Sequence, residues 1–411
     1  MKLLYLPAYS KPELVATSNI SDNRNHAFID AGFRIEAYTP TPCRGLTLEL
    51  RKKYKKKEYR IETYYGGYMI LHRFPLFAEG NNAIIRAFRY VCCWFIHFYK
   101  GLQAKNVDCI YLASTPPIQG MLGALLKKIK KVPFVYNLQD IFPDSLVAAG
   151  MTHKGSILWK IGRVIENFTY KNADKIIVIS EDFKKNIMAK GVPEEKIVVI
   201  YNWVDENAVV PVAKADNPLY EEFGISRDKF HVVYAGNLGN AQNIDVIIDT
   251  AAKLRNREDI EFVIFGSGGS EAEIRSRISK EGLHNVKMFP LQPADKVSFV
   301  YSLGDLCIVS CKAGFGGSAM PSKTWSILST GRPVLANFDE GELKQLLEAN
   351  NCGIFTKAGD AEGMAKAIVE ACEHKEHCDE MGRNGREFVL NDLTKEVGTQ
   401  KYVDVIKSVV K

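Results

Sequence analysis

The sequence predicts an α/β protein made of two doubly wound, Rossmann-like domains. Three observations predict it. Apolar, strand-like runs alternate with amphipathic helical stretches along the whole chain, which is the pattern of a parallel sheet covered on both faces. The alternation is interrupted by a polar stretch from Glu206 to Tyr220 carrying Pro211 and Pro218, read here as the link between domains. A length of 411 residues suffices for two domains, each with its own buried core.

In the first half the strand candidates are Lys2–Leu6, Ile35–Thr39, Tyr68–His72, Cys109–Leu112, Phe134–Asn137, Lys175–Ile179 and Ile197–Tyr201. Between them the periodicity predicts helices over Asn23–Ala31, Asn82–Lys105, Ile118–Ile129, Ser156–Asn172 and Glu181–Lys190. The run Asn202-Trp203-Val204-Asp205 ends this set. A second set follows, with strands at His231–Tyr234, Glu261–Phe265, Val286–Phe289, Leu306–Val309, Pro333–Ala336 and Gly353–Phe355. Its helices include Asp245–Leu254, Ser270–Lys280, Ala294–Ser302 and Ser322–Ser329. The expected domains are 1–205 and 206–391. Residues 392–411 read as a final helix that has no strand after it and crosses back to the first domain. Ligands of open α/β sheets bind beyond the carboxyl ends of the strands, and two such domains would face a common cleft.

Composition narrows the function classes. A net charge of +6 is too modest to imply nucleic acid. The basic run Arg51-Lys52-Lys53-Tyr54-Lys55-Lys56-Lys57 reads either as a solvated loop or as a contact for an anionic surface. Nine cysteines without metal-like spacing read as thiols of a reducing compartment. The amino terminus goes straight into a strand with no signal-peptide pattern, and no apolar run is long enough to span a bilayer. The expected location is cytoplasmic.

The strongest local signal is Phe265-Gly266-Ser267-Gly268-Gly269-Ser270-Glu271, after a strand and before a helix. Its glycines let the backbone approach a ligand, and the helix offers free N–H groups; alone, the run is equally a tight turn. Tyr234-Ala235-Gly236-Asn237-Leu238-Gly239-Asn240 is a second strand ending in small residues. Pro321-Ser322-Lys323 then opens a helix after Gly314-Phe315-Gly316-Gly317-Ser318. Proline in the first turn, a hydroxyl and a mobile cation suit a diphosphate. The candidate nucleotide-sugar site is therefore Gly236, Asn237, Gly266, Gly268, Pro321, Ser322, Lys323 and Ser326. In the first domain Asn137-Leu138-Gln139-Asp140 follows a strand. Asp140 reads as an acid–base or orienting carboxylate, whereas Asp144 reads as a helix cap. The helix Asn82–Lys105 interleaves Phe88, Trp94, Phe95 and Tyr99 with Arg86, Arg89, His97 and Lys100; it reads either as an in-plane membrane contact or as a buried core helix.

These segments together resemble glycosyltransferase family 4, retaining enzymes of the GT-B fold, and within it the bacterial polysaccharide branch of colanic-acid and N-acetyl-fucosamine transferase-like proteins. The carriers are Asp140-Ile141-Phe142-Pro143-Asp144-Ser145, Asn172-Ala173-Asp174-Lys175-Ile176-Ile177-Val178-Ile179-Ser180, Gly191-Val192-Pro193-Glu194-Glu195-Lys196-Ile197, Asn202-Trp203-Val204-Asp205, Tyr234-Ala235-Gly236-Asn237, and Pro321-Ser322-Lys323 up to Gly331-Arg332-Pro333. The resemblance implies transfer from a nucleotide diphosphate sugar, UDP-linked in preference to GDP-linked, with retention and no metal or other cofactor. It implies as acceptor a polyprenyl-diphosphate-linked saccharide, at the anionic inner face of the cytoplasmic membrane. Relatives often carry an arginine and a lysine for the diphosphate where this chain has Asn237 and Gln242, which makes Lys323 the first candidate for the compensating cation. They often carry two glutamates where this chain has Ser318 and Ser326. The first loop keeps Pro12-Glu13 without the usual glycine within Tyr9–Thr17.

Two further readings stand beside a transferase: a nucleotide-sugar epimerase of the same fold, and a non-catalytic or partner-dependent subunit that binds nucleotide sugar. A dehydrogenase is disfavoured, since no dinucleotide glycine fingerprint follows the first strand.

Overall fold

The structure, a computed structural model, describes residues 1–13, 18–79, 82–148, 150–316 and 320–410. Leu14–Thr17 of the first loop, and Gly317 and Ser318 before the Pro-Ser-Lys segment, lie outside the described residues. The chain divides into two compact units, Met1–Tyr201 with Glu396–Lys411, and Asn202–Lys395.

Unit 1 is built in the order β1 (Lys2–Tyr5), α1 (Ser18–Asp30), β2 (Arg34–Pro40), α2 (Leu48–Tyr54), β3 (Ile61–Tyr64), β4 (Met69–Phe74), α3 (Ala83–Gln103), β5 (Cys109–Ala113), α4 (Gln119–Lys130), β6 (Phe134–Leu138), α5 (Asp144–Ala148), α6 (Ile157–Asn172), β7 (Lys175–Val178), α7 (Glu181–Met188) and β8 (Ile197–Val199). The eight strands among its described residues lie in the order β3-β4-β2-β1-β5-β6-β7-β8. All pairs are parallel except the edge pair β3–β4. That antiparallel hairpin was not expected. Ile61-Glu62-Thr63-Tyr64 is short, alternates exposed with half-buried positions and follows the basic run, so it offers little apolar signal. The central strands β5, β6 and β7 are nearly continuous apolar runs because helices cover both faces.

Unit 2 follows with α8 (Leu219–Glu222), β9 (Phe230–Asn237), α9 (Ile244–Lys253), β10 (Ile260–Ser267), α10 (Glu271–Glu281), β11 (Val286–Phe289), α11 (Val297–Ser302), β12 (Leu306–Ser310), α12 (Lys323–Ser329), β13 (Val334–Phe338), α13 (Glu342–Ala349), β14 (Gly353–Lys357), α14 (Ala361–Glu373) and α15 (Lys375–Asp392). The six strands among its described residues, all parallel, lie in the order β11-β10-β9-β12-β13-β14, with the reversal at β9 and β12. Phe230, Val232, Tyr234, Phe262 and Ile264 form its core with Ile247, Ile248 and Ile368 from the helices.

The stretch after Asp205, read as a link, is strapped to unit 2. Val210 and Val212 donate their backbone N–H groups to Ser298 and Ser302, and Arg386 donates to the carbonyls of Glu206 and Val209. These are main-chain bonds; of its polar side chains, Asn217 donates to the Phe299 carbonyl at 2.7 Å. The last helix, α16 (Lys395–Val409), falls almost wholly in unit 1. Tyr402 is fully buried there and donates to Asn137 Oδ1 at 3.1 Å. The nine cysteines are all unpaired, eight of them buried.

Candidate functional site

The sequence-predicted residues of unit 2 gather at the carboxyl ends of β9 and β10. Parallel pairing sets Gly236 beside Gly266 and Asn237 beside Ser267. The two strands then turn together: Leu238 donates to the carbonyl of Ser267, and Ser270 donates to that of Leu238. Gly268 lies so close that a Cβ there would sit 2.5 Å from the Leu238 carbonyl oxygen. Gly236 has φ +146°, and a Cβ on it would meet Lys323 Nζ at 2.9 Å. Glycine is favoured at Gly268 by the close backbone carbonyl and at Gly236 by its positive φ.

Lys323 begins α12, beyond β12, and its Nζ reaches back to β9. The ammonium is fully buried with no hydrogen-bond partner among the described residues. It lies 4.1 Å from the centroid of the Tyr234 ring. Burial pushes its pKa down to about 8. Tyr234 was missed in the sequence reading. Strand period puts it on the face of Gly236, two residues on, but gives no sign that its ring covers an ammonium. The ring supplies a cation–π contact, and its hydroxyl fixes the turn by donating to the Asn237 carbonyl at 2.8 Å.

Asn237 donates its side-chain amide to Gln242 Oε1 at 3.0 Å. The two positions where relatives were expected to carry cations thus form a neutral pair, and Lys323 is the cation against the glycine turns. Pro321 and Ser322 lead into α12, with the Pro321 carbonyl accepting from Thr324. The Ser322 hydroxyl is exposed and makes no capping bond. Ser326 lies one turn further along α12, half-buried. The structure therefore brings Gly236, Asn237, Gly266, Gly268 and Lys323 together, and sets Pro321, Ser322 and Ser326 along the segment that carries Lys323.

In unit 1 Asp140 stands just past β6, with its residue surface open to solvent. Desolvation by the surrounding protein raises its carboxyl pKa, against hydrogen bonds from Ser145 and the Ile141 backbone that lower it. Asp144 is the first residue of α5 rather than its cap. Its carboxylate is taken by Lys190 at 2.7 Å, and Lys190 also holds Glu166 at 2.7 Å. The sequence reading of a structural role stands, but through an ion pair and not a cap.

A cavity of about 320 Å³ opens beside β1 and β6, lined by Leu6, Tyr9, Lys11, Arg24, Asn137 and Gln139 among others. Asn137 is buried and bonds Tyr111, Gln139 and Tyr402 at once.

Helix α3 is amphipathic with its polarity reversed. Its inner face is polar: Arg89 is fully buried and donates to the Phe77 carbonyl at 3.0 Å. His97 is also fully buried, with Nε2 at 3.0 Å from the Tyr38 carbonyl and Nδ1 at 3.1 Å from the Gln119 amide. Burial lowers the His97 pKa to about 3, so the ring is neutral, and these neighbours put its proton on Nε2. The outer face is apolar, with Ile84 (79% exposed), Phe88 (62%), Val91, Phe95 (62%), Tyr99 and Leu102 in one stripe. Helix α6 adds exposed Ile157, Ile161 and Val164. No helix among the described residues is long and apolar enough to cross a membrane.

Comparison with known proteins places both halves. Residues 26–208 match the family model "Glycosyltransferase Family 4", and residues 218–388 match "Glycosyl transferases group 1". The chain is 27% identical over 416 aligned positions to WcaI of Escherichia coli K12, named as a colanic acid biosynthesis glycosyl transferase; the match covers 99% of this chain and 100% of that protein. It is 26% identical to the glycosyltransferase WbjE of Pseudomonas aeruginosa, over 66% of this chain and 68% of that one. Among solved structures, sucrose-phosphate synthase from Thermosynechococcus elongatus superposes with a TM-score of 0.77 at 14% identity, covering 99% and 98% of the two chains. Anabaena HepE in complex with UDP gives 0.73 at 18% identity, covering 99% and 100%. At such identities these structures share the fold.

Proposed function

Since the chain is a GT-B glycosyltransferase, with a Family 4 half followed by a group 1 half, we propose that it moves a hexosyl or N-acetylhexosaminyl group from a nucleotide diphosphate sugar to a lipid-linked saccharide during surface-polysaccharide synthesis, with retention and without a metal. The observation that carries the donor half of this reading is the buried ammonium of Lys323 against the Gly236 turn, without a hydrogen-bond partner among the described residues. An unpaired buried charge is costly unless an anion joins it, and a diphosphate is an anion that the neighbouring glycines leave room for. The transferred sugar would leave a diphosphate whose growing negative charge Lys323 neutralises. HepE, with the same fold, has been solved with UDP and with UDP-glucose, which favours uridine. WcaI and the Staphylococcus aureus protein CapM are named for colanic acid and capsular polysaccharide, which favours that class of product.

Asp140, at the end of β6, is the candidate to orient the sugar or to take the acceptor proton, and its raised pKa suits a carboxylate that exchanges protons. The outward apolar stripe of α3, together with the exposed basic segment around α2, supports seating unit 1 on an anionic membrane where a lipid-linked acceptor resides.

Titration calorimetry with UDP, GDP and ADP in the presence of a chelator tests the donor half. UDP is expected to bind selectively, and Lys323→Ala to weaken it by about tenfold or more, as loss of a charge-assisted contact should. Binding of none of the three would favour a partner-dependent subunit. Equal affinity in Lys323→Ala would remove this lysine from the site.

A further inference from the structure

The two strands at the reversal of the second sheet separate before they end. β9 pairs with β12 through Val232 with Leu306 and Val233 with Cys307, yet β9 runs on to Asn237 and β12 to Ser310. The short turn Asn240–Gln242 is tied to the end of β12. The Ser310 hydroxyl donates to the Gln242 carbonyl at 2.7 Å, and the Lys312 N–H donates to that of Ala241 at 2.9 Å. Ligands of open α/β sheets bind beyond such a reversal. The β9 side carries the Gly236 turn with Lys323 against it. The β12 side carries Lys312, just past the strand.

Lys312 is exposed, and the fold does not use its charge. Nζ donates to the neutral Asn240 Oδ1 at 3.3 Å, and no carboxylate among the described residues forms an ion pair with it. Asp339, which follows β13, is engaged with the loop itself: its Oδ2 accepts the backbone N–H groups of Gly314 and Gly316, each at 2.8 Å. Phe315 closes the same loop by donating to the Lys312 carbonyl at 3.1 Å. Asn237 and Gln242 bond each other and bring no charge to the turn. A nucleotide diphosphate sugar carries more than one negative charge, and more develops on the diphosphate as the sugar leaves. The ammonium of Lys323 alone offsets part of it; a second cation within reach of the same turn offsets more.

We propose that Lys312 is a second diphosphate-binding residue of the donor site, its flexible stem carrying the ammonium over the Asn240–Gln242 turn to the bound donor. The cation on this side of the reversal thus comes from the end of β12 and not from the turn after β9. The inference rests on the donor reading above and assigns the residue that shares the diphosphate charge with Lys323.

The test is calorimetry on the full chain with UDP and GDP as probes, at neutral pH, for the wild type and four variants. Lys312→Met should weaken the diphosphate that binds by about fivefold or more, as loss of a charge-assisted contact should. Lys312→Arg keeps the charge and should stay within about twofold of the wild type. Asn240→Ala removes the lysine's contact with the protein while leaving its ammonium, and should also stay within about twofold. Lys312 is exposed, so these substitutions leave the core intact. Unchanged affinity in Lys312→Met, or an equal loss in Lys312→Met and Asn240→Ala, overturns the assignment and gives Lys312 a role in loop packing alone. Lys323→Ala, measured alongside, separates the two claims. A chain that binds UDP, loses it in Lys323→Ala and keeps it in Lys312→Met overturns this assignment and leaves the donor reading standing. A wild-type chain that binds neither diphosphate overturns the donor reading and the assignment with it.

Discussion

Lys323 carries the sharpest consequence at the scale of single residues. Its pKa is lowered to about 8, so the folded protein holds fewer protons than the unfolded chain between pH 8 and the ordinary lysine range. Stability without ligand should therefore rise as pH increases through that window, and Lys323→Met should abolish this rise in a series of denaturation curves. Nucleotide affinity should move the opposite way and fall above pH 8, as the ammonium that meets the diphosphate loses its proton. Asp140→Asn should lower kcat by about a hundredfold while leaving UDP affinity within twofold; full turnover would leave Asp140 a structural role. Lys323 and the glycines were legible because cations and small residues at strand ends carry chemistry in their identity. Tyr234 was not. It lies within a run that periodicity assigns to an ordinary strand, and only the packing shows that its ring covers an ammonium.

Among the elements, α3 shows how composition can be read correctly and still leave its orientation open. The apolar arc and the interleaved Arg89 and His97 were visible in sequence, and either face was a candidate for burial. The structure turns the polar residues inward because the Phe77 and Tyr38 carbonyls and the Gln119 amide satisfy them there. The exposed stripe then contributes little to folding. Phe88→Ser with Phe95→Ser should leave the melting temperature within a few degrees, yet sharply reduce co-sedimentation with vesicles containing anionic lipid. A fall in stability with vesicle binding intact would assign the stripe to the protein's own packing. The turns after β9 and β10 were legible for a different reason: glycine runs at strand ends leave few conformations to choose among. The β3–β4 hairpin was hidden by its half-exposed edge strand.

At the scale of the whole molecule the fold class was readable from alternation alone, since strand and helix periods differ and repeat through both halves. Strand order was not, because it depends on which sheet edge each crossover returns to. The polar stretch after Asp205 follows the division between the units, at Tyr201 and Asn202, and its main chain is bonded to Ser298, Ser302 and Arg386 of unit 2. Unit 1 is thus discontinuous, resuming at Glu396 after the whole of unit 2. Removing residues 396–411 should destabilise unit 1, where Asn137 and Gln139 lose Tyr402, and leave unit 2 resistant to limited proteolysis. During synthesis the same feature sets a timetable. Unit 2 is an unbroken stretch, whereas the sheet that carries Asp140 stays one helix short until the tail is released. A released chain that ends at Lys395 should hence fold unit 2 and leave unit 1 without the helix that carries Tyr402.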